Sequence, residues 1–306
     1  MKETEFFIPS PVDQLPISCL VVEPEQPPRA VVLMAHGLME HKERFLPVMH
    51  FFAEHGFACA MNDQRGNGKS IKSEEDLGYT YGAGAGGILQ DMRALGEEMI
   101  RRYPGKKTFL YGHSLGALCA MAYMKRFSRD VNGAILNALP ADNKALGVGR
   151  TYLKFKKRVK GARFRDEGVR KLMNDNYAAR FKGEASPFSW LSSDPDAVRR
   201  YEEDPLCGYL GTVENYLAVL DIMDEAYDKK GWDRVSGMCP VFIAVGADDP
   251  CAEGEKGAAE GEKFLKSVGL ARAEHRSYAS MRHEIQNERG AEKPLTDELN
   301  RLIAWL

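Results

Sequence analysis

Residues 108–127 read TFLYGHSLGALCAMAYMKRF. The first four are a short apolar and aromatic run, as expected of a strand buried on both faces. From Ala117 onward the stretch is rich in Ala, Leu and Met, which favour helix. At the junction stands Gly112-His113-Ser114-Leu115-Gly116, a G-x-S-x-G pentapeptide. A strand, a tight turn and a helix in that order form a nucleophile elbow. The strained turn lifts the Ser114 hydroxyl to the C-terminal edge of a sheet, and the flanking glycines let the backbone make it. The plainer alternative is a turn whose serine caps the helix.

Working outward, the same alternation recurs. RAVVLMAHG, FACAMND, GAILNAL and VFIAVG are further short apolar runs. Helical spacing lies between them at His41–His55 and Ile88–Tyr103, with short or terminal helices at Glu262–Ser267 and Thr296–Leu306. Thr4–Ile8 and Ile17–Val22 predict an opening hairpin, and RAEHRSYAS a polar edge strand. Short apolar strands alternating with helices predict an α/β fold, a mostly parallel sheet with helices on both faces. The alternation breaks between about 141 and 230, where charged helical stretches stand without a strand. Residues 1–140 and 225–306 therefore read as the core, and 141–224 as a helical insertion.

The 306 residues carry 42 Lys+Arg against 44 Asp+Glu, a net charge of −2. That balance gives no support to nucleic-acid binding through bulk charge. No apolar run is long enough to span a bilayer, and MKETEFFIPSP does not read as a signal peptide. The six cysteines are scattered without a CxxC pair, which suits free thiols in a reducing cytoplasm.

A serine nucleophile needs a base, and the base needs an acid, in the chain order Ser, Asp or Glu, His. Downstream, VFIAVGADDP ends a buried strand with Asp248 and Asp249, and SYASMRHEI carries His283 in a loop. His275, within AEHRSY, reads as structural. Two backbone N–H groups must receive the oxyanion: Leu115, after the nucleophile, and Leu38, in the His36-Gly37-Leu38 turn after the third strand. Two other motifs fail on context. Gly82–Gly87 fits G-x-G-x-x-G but follows a polar stretch, and Gly66-Asn67-Gly68-Lys69-Ser70 lacks the first glycine of a P-loop because position 63 is Asp63. No H-E-x-x-H is present, so the sequence gives no support to a metal site.

These residues resemble the α/β-hydrolases of the monoacylglycerol lipase and lysophospholipase group, within the serine-aminopeptidase-like hydrolases. The resemblance runs through HGLMEHKERF, DQRGNGKS, GHSLG, FSWLSSDPDAVRRYEEDPLCGY, GADDP and RHEIQNE. It implies an α/β-hydrolase fold with a helical cap, Ser114 as nucleophile, His283 as base, Asp249 as acid through the G-x-x-D-P form, Leu38 and Leu115 as oxyanion donors, and no cofactor. Asn67 departs from the group's D-R-G-H-G, and Leu115 from its frequent Met. The implied reaction is hydrolysis of a lipid-type carboxylic ester, monoacylglycerol or lysophospholipid. An aminopeptidase, a thioesterase or small-ester esterase, and a non-catalytic binding protein are the alternatives.

One segment of the insertion is strongly basic: Lys144, Arg150, Lys154, Lys156, Lys157, Arg158, Lys160, Arg163 and Arg165 occur with no intervening acid. It reads either as a patch for anionic lipid, giving a cytoplasmic protein peripheral to a membrane, or as a solvated face balanced by Asp194–Asp204.

Overall fold

The computed structural model describes residues 1–142 and 146–306; Lys144 of the basic segment lies outside them. The hairpin β1 (Lys2–Pro9) and β2 (Pro16–Glu23) leads into β3 (Ala30–Ala35), α1 (Leu46–Glu54), β4 (Phe57–Asn62), α2 (Gly84–Arg102), β5 (Thr108–His113), α3 (Leu115–Arg126) and β6 (Gly133–Asn137). Four helices come next, α4 (Leu146–Lys160), α5 (Glu167–Ala178), α6 (Pro195–Glu203) and α7 (Val213–Tyr227). The chain ends with β7 (Val241–Gly246), α8 (Gly254–Ser267), β8 (Ala273–Tyr278) and α9 (Glu292–Ala304).

The eight strands form one sheet in the order β1-β2-β4-β3-β5-β6-β7-β8. β2 is antiparallel to both its neighbours, and the pairs from β4 to β8 are parallel. Successive strand residues point to opposite faces, so a strand covered on both sides must be apolar at every position. In β3, Val31 and Leu33 join the core under α2 and α3, while Val32 and Met34 join the core under α1 and α9. β8 is the polar edge, with Glu274 and Arg276 turned outward.

Helix limits differ from the sequence reading where packing overrides propensity. α8 begins at Gly254, eight residues before the expected start. Its Gly257 and Gly261 weaken an isolated helix, yet they seat it: a Cβ on Gly257 would meet the Ala252 carbonyl, and one on Gly261 would touch Ile243. α1 starts later than expected, after a short 3-10 turn over Lys42–Phe45, with Pro47 in its first turn. α7 runs past the expected insertion boundary at 224 and packs on α2 and α3. Among the described residues, no helix is long and apolar enough to cross a membrane. All six cysteines are free thiols.

Candidate active site

Ser114 is the one residue between β5 and α3, at φ +54° and ψ −119°. A positive φ is costly for a residue with a Cβ and persists only when the surroundings enforce it. Here Ser114 N–H donates to the Asn137 carbonyl at 3.0 Å, and Ala117 N–H donates back to the Ser114 carbonyl at 2.8 Å. The turn is also packed without slack. A Cβ on Gly112 would lie 2.2 Å from the Gly116 carbonyl oxygen, and one on Gly116 would lie 2.0 Å from that of Ala35. Both glycines of the pentapeptide are therefore required by close approach.

The turn after β3 lies against the elbow, since a Cβ on Gly37 would come within 3.3 Å of Ser114 Cβ. Its shape is set by two side chains. His36 Nε2 accepts from Gln64 N–H at 2.9 Å, so its Nδ1 carries the proton and donates to the Gly37 carbonyl at 2.8 Å. Burial holds His36 neutral by lowering its pKa. Glu40 accepts the Gly37 N–H at 2.6 Å. That engages Gly37's donor and leaves Leu38 as the turn's candidate beside Ser114. Leu38, Ser114, Leu115 and His283 all line one cavity.

Asp249 is fully buried, whereas Asp248 is exposed. The Asp249 carboxylate accepts from Cys251 N–H at 2.7 Å and Ala252 N–H at 3.1 Å through Oδ1, and from His283 Nδ1–H at 2.8 Å through Oδ2. Gly246 allows the two loops to meet, because a Cβ there would strike the Arg282 carbonyl at 2.1 Å. For His283, burial opposes the charge, but the carboxylates of Asp249, Glu284 and Glu40 outweigh it and raise its pKa above the ordinary 6.5. With the proton on Nδ1, the neutral ring keeps a lone pair on Nε2.

An arginine ties the two loops together. Arg44 donates to both oxygens of Glu284 at 2.9 and 2.8 Å and pairs with Glu40. Its guanidinium lies 4.8 Å from the Tyr201 ring, and Tyr201 Oη donates to the Met39 carbonyl at 3.2 Å. One half-buried cation thus links the turn after β3, the loop of His283 and helix α6. Over these residues lies a cavity of about 930 Å³, walled by apolar residues including Leu118, Leu153, Val219 and Leu220.

Residues 26–290 match the family model described as serine aminopeptidase, S33. The chain belongs to this family.

A monoacylglycerol lipase from Mycolicibacterium smegmatis (strain ATCC 700084 / mc(2)155) is 27% identical over 60% of this chain and 58% of its own. A probable lysophospholipase L2 of Haemophilus influenzae (strain ATCC 51907 / DSM 11121 / KW20 / Rd) is 23% identical over 39% of this chain and 37% of its own. The match thus spans less than two thirds of either relative's length. Among solved structures, a thermostable carboxyl esterase from Bacillus coagulans superposes with a TM-score of 0.92 at 22% identity over 99% of both chains. A monoacylglycerol lipase of Paleococcus ferrophilus gives a TM-score of 0.73 at 23% identity, over 95% of this chain and 99% of its own. These confirm the α/β-hydrolase fold expected from the sequence.

Several residues of this site lie in stretches that carry the family resemblance but were not singled out there. Glu40, Arg44 and Glu284 stand among ordinary surface-type residues in HGLMEHKERF and RHEIQ, and only the fold buries their charges together. Trp190 reaches the site from the insertion. The rejected motifs resolve structurally. Gly84–Gly87 is the first turn of α2, and the loop after Asp63 wraps that carboxylate, which accepts from Lys42 and Lys69 N–H groups. His275 pairs with Glu255 and Glu262 on the surface, a structural role. His41 lies near Asp204 and Cys207 as a metal ligand would. Both its ring nitrogens lie against carboxylates, Glu43 at 2.7 Å and Asp204 at 2.8 Å, an arrangement that favours the protonated ring and raises its pKa above 6.5.

Proposed function

We propose that this chain hydrolyses lipid-type carboxylic esters, monoacylglycerol or lysophospholipid, through an acyl-enzyme on Ser114. The observation that carries the reading is the grouping of a strained serine, a histidine bonded to a buried aspartate, and a large apolar cavity. His283 Nε2 takes the Ser114 proton as Oγ attacks the ester carbonyl. The N–H groups of Leu38 and Leu115 receive the oxyanion, with the positive end of α3 behind Leu115. The alcohol leaves with the proton from His283, and water resolves the acyl-enzyme by the same route. Asp249 fixes the tautomer and stabilises the imidazolium. Residues 141–224 act as the cap that selects substrate. No cofactor takes part.

The outer face of α4 supports a lipid substrate. Val148, Tyr152, Phe155 and Val159 follow helical spacing and are 81, 43, 61 and 57% exposed. Val148 and Tyr152 also line the cavity. An exposed apolar stripe that continues into a cavity suits a helix resting on a lipid–water interface. The basic side chains contribute less than their number suggests. Arg150 pairs with Asp221 and Asp224, Lys156 with Asp166, Lys157 with Glu214 and Arg163 with Asp76. The balancing acids are therefore not those of Asp194–Asp204; Asp194 pairs with Arg289 and Asp204 with His41.

The aminopeptidase alternative needs a carboxylate free to hold a substrate amine. Glu40, Glu253 and Glu284 line the cavity, but Glu40 and Glu284 are both engaged by Arg44 and Glu253 pairs with Lys256, which favours an ester. The test is turnover of a p-nitrophenyl ester chain-length series, monoacylglycerol, lysophospholipid and an aminoacyl arylamide by the wild type and Ser114→Ala. Lipid-ester turnover abolished by Ser114→Ala is expected, with stability changed by no more than about 1 kcal/mol. Retention of turnover in that variant, or preference for the arylamide, overturns the reading.

A further inference from the structure

We propose that Trp190 is a positioning residue for His283: its indole, carried by the segment before α6, holds the imidazole in its working orientation. The inference rests on the assignment of His283 as the base. It makes the cap a structural part of the catalytic centre as well as a selector of substrate.

A single hydrogen bond from Nδ1 to Asp249 fixes one point of the imidazole and leaves its tilt free. The neighbouring rings supply the missing restraint. The Trp190 centroid lies 4.9 Å from that of His283 with the planes inclined by 47°, and His113 lies at 5.0 Å and 55°. His113 is itself fixed, with Nδ1 bonded to Asn137 Oδ1 at 2.9 Å. Trp190 is held by the Tyr177 ring at 4.7 Å. The two backbones are laced together: Glu284 N–H donates to the Leu191 carbonyl at 2.7 Å, and His283 N–H to the Trp190 carbonyl at 3.4 Å. The indole and the imidazole therefore ride on segments bonded to each other at the same residues.

The indole does this with its flat surface alone. Among the described residues, the buried Trp190 Nε1 has no hydrogen-bond partner. An unpaired buried donor is unfavourable, so no polar contact accounts for the residue. Aromatic area against His283 and Tyr177 does. Trp190 also lines the cavity, and its bulk shields the His283–Asp249 bond from water, where the bond is strongest. It follows that phenylalanine should serve at this position and a non-aromatic residue should not.

The experiment compares the full-length wild type with Trp190→Phe, Trp190→Leu and Trp190→Ala on a short soluble p-nitrophenyl ester. Trp190→Phe should stay within about threefold in kcat. Trp190→Leu and Trp190→Ala should lose about 30- to 100-fold in kcat, the scale of a misplaced catalytic group, with KM within about twofold. The downfield proton resonance of His283 Nδ1–H should persist in wild type and Trp190→Phe and broaden in the other two. Leucine keeps apolar volume, so it carries the test where alanine fails to fold. Wild-type kcat in Trp190→Leu, a raised KM at unchanged kcat, or equal loss in Trp190→Phe overturns the proposal. A wild type that turns over no ester overturns the hydrolase reading instead, and the resonance comparison still decides the role of Trp190.

Discussion

Replacing Asp249 by Asn removes one charge and almost no volume, and the surrounding hydrogen bonds dictate how the new side chain must sit. Oδ1 accepts from two backbone N–H groups, those of Cys251 and Ala252. An asparagine must keep its carbonyl there, because its amide NH2 would otherwise face two donors. The NH2 then points at His283 Nδ1 in place of the carboxylate oxygen. Two donors cannot meet, so the imidazole must present its Nδ1 lone pair and carry its proton on Nε2, where it cannot accept the Ser114 proton. The same exchange in a serine protease lowers turnover by about 10⁴, a barrier increase of about 5.4 kcal/mol at 1.36 kcal/mol per decade. A loss of that order is expected in kcat for a saturating p-nitrophenyl ester. Asp248 is exposed, and Asp248→Asn should remain within about tenfold, or about 1.4 kcal/mol of barrier. A loss below tenfold for Asp249→Asn, or an equal loss at Asp248, would refute the tautomer argument.

Other perturbations have definite signs. The proposed mechanism needs neutral His283, whose pKa is raised above 6.5 partly by Glu284; Glu284→Gln should move the acidic limb of the kcat/KM profile to lower pH, and a shift to higher pH would contradict this. His41 is also raised above 6.5 by Glu43 and Asp204, against its burial. The folded state therefore holds the His41 proton more tightly, so its contribution to stability is full below pH 6.5 and fades as pH rises through the folded value. Thermal unfolding across that window should show a shallower decline in Asp204→Asn than in wild type, and parallel curves would count against it. Phe155→Ser should lower activity on lipid vesicles at least about tenfold through lost apolar burial, leaving a soluble short ester unchanged; equal loss on both substrates would remove α4 from the interface.

The central strands were legible because they are buried on both faces and are largely apolar. Ser114 was legible for a related reason: a pentapeptide with two obligatory glycines sits where the apolar period changes from strand to helix. Asp249 against Asp248 was not separable by composition, since the choice depends on which carboxylate turns inward at the end of β7. The start of α8 was missed because Gly254, Gly257 and Gly261 read as loop, while in the fold they are contact points against Ala247, Ala252 and Ile243 respectively. Arg44 was invisible for the opposite reason. A charge in a charged stretch looks like surface until Glu40 and Glu284, far apart in sequence, are brought to it.

The chain leaves the sheet at Asn137 and re-enters at Val241, and these two strands are immediate parallel neighbours. Nothing in the sheet's register therefore depends on how long the excursion is or what it contains. On the proposed reading, exchanging the excursion should change the substrate and leave the sheet in place, provided that α7 keeps its packing on α2 and α3. The contacts between the excursion and the core set the terms of such a graft. A transplanted segment has to return an aromatic ring to His283, a carboxylate to His41 and a hydroxyl to the Met39 carbonyl. If the proposed role of Trp190 holds, a cassette that fits the opening but omits them would dock over an intact sheet and still leave His283 out of alignment.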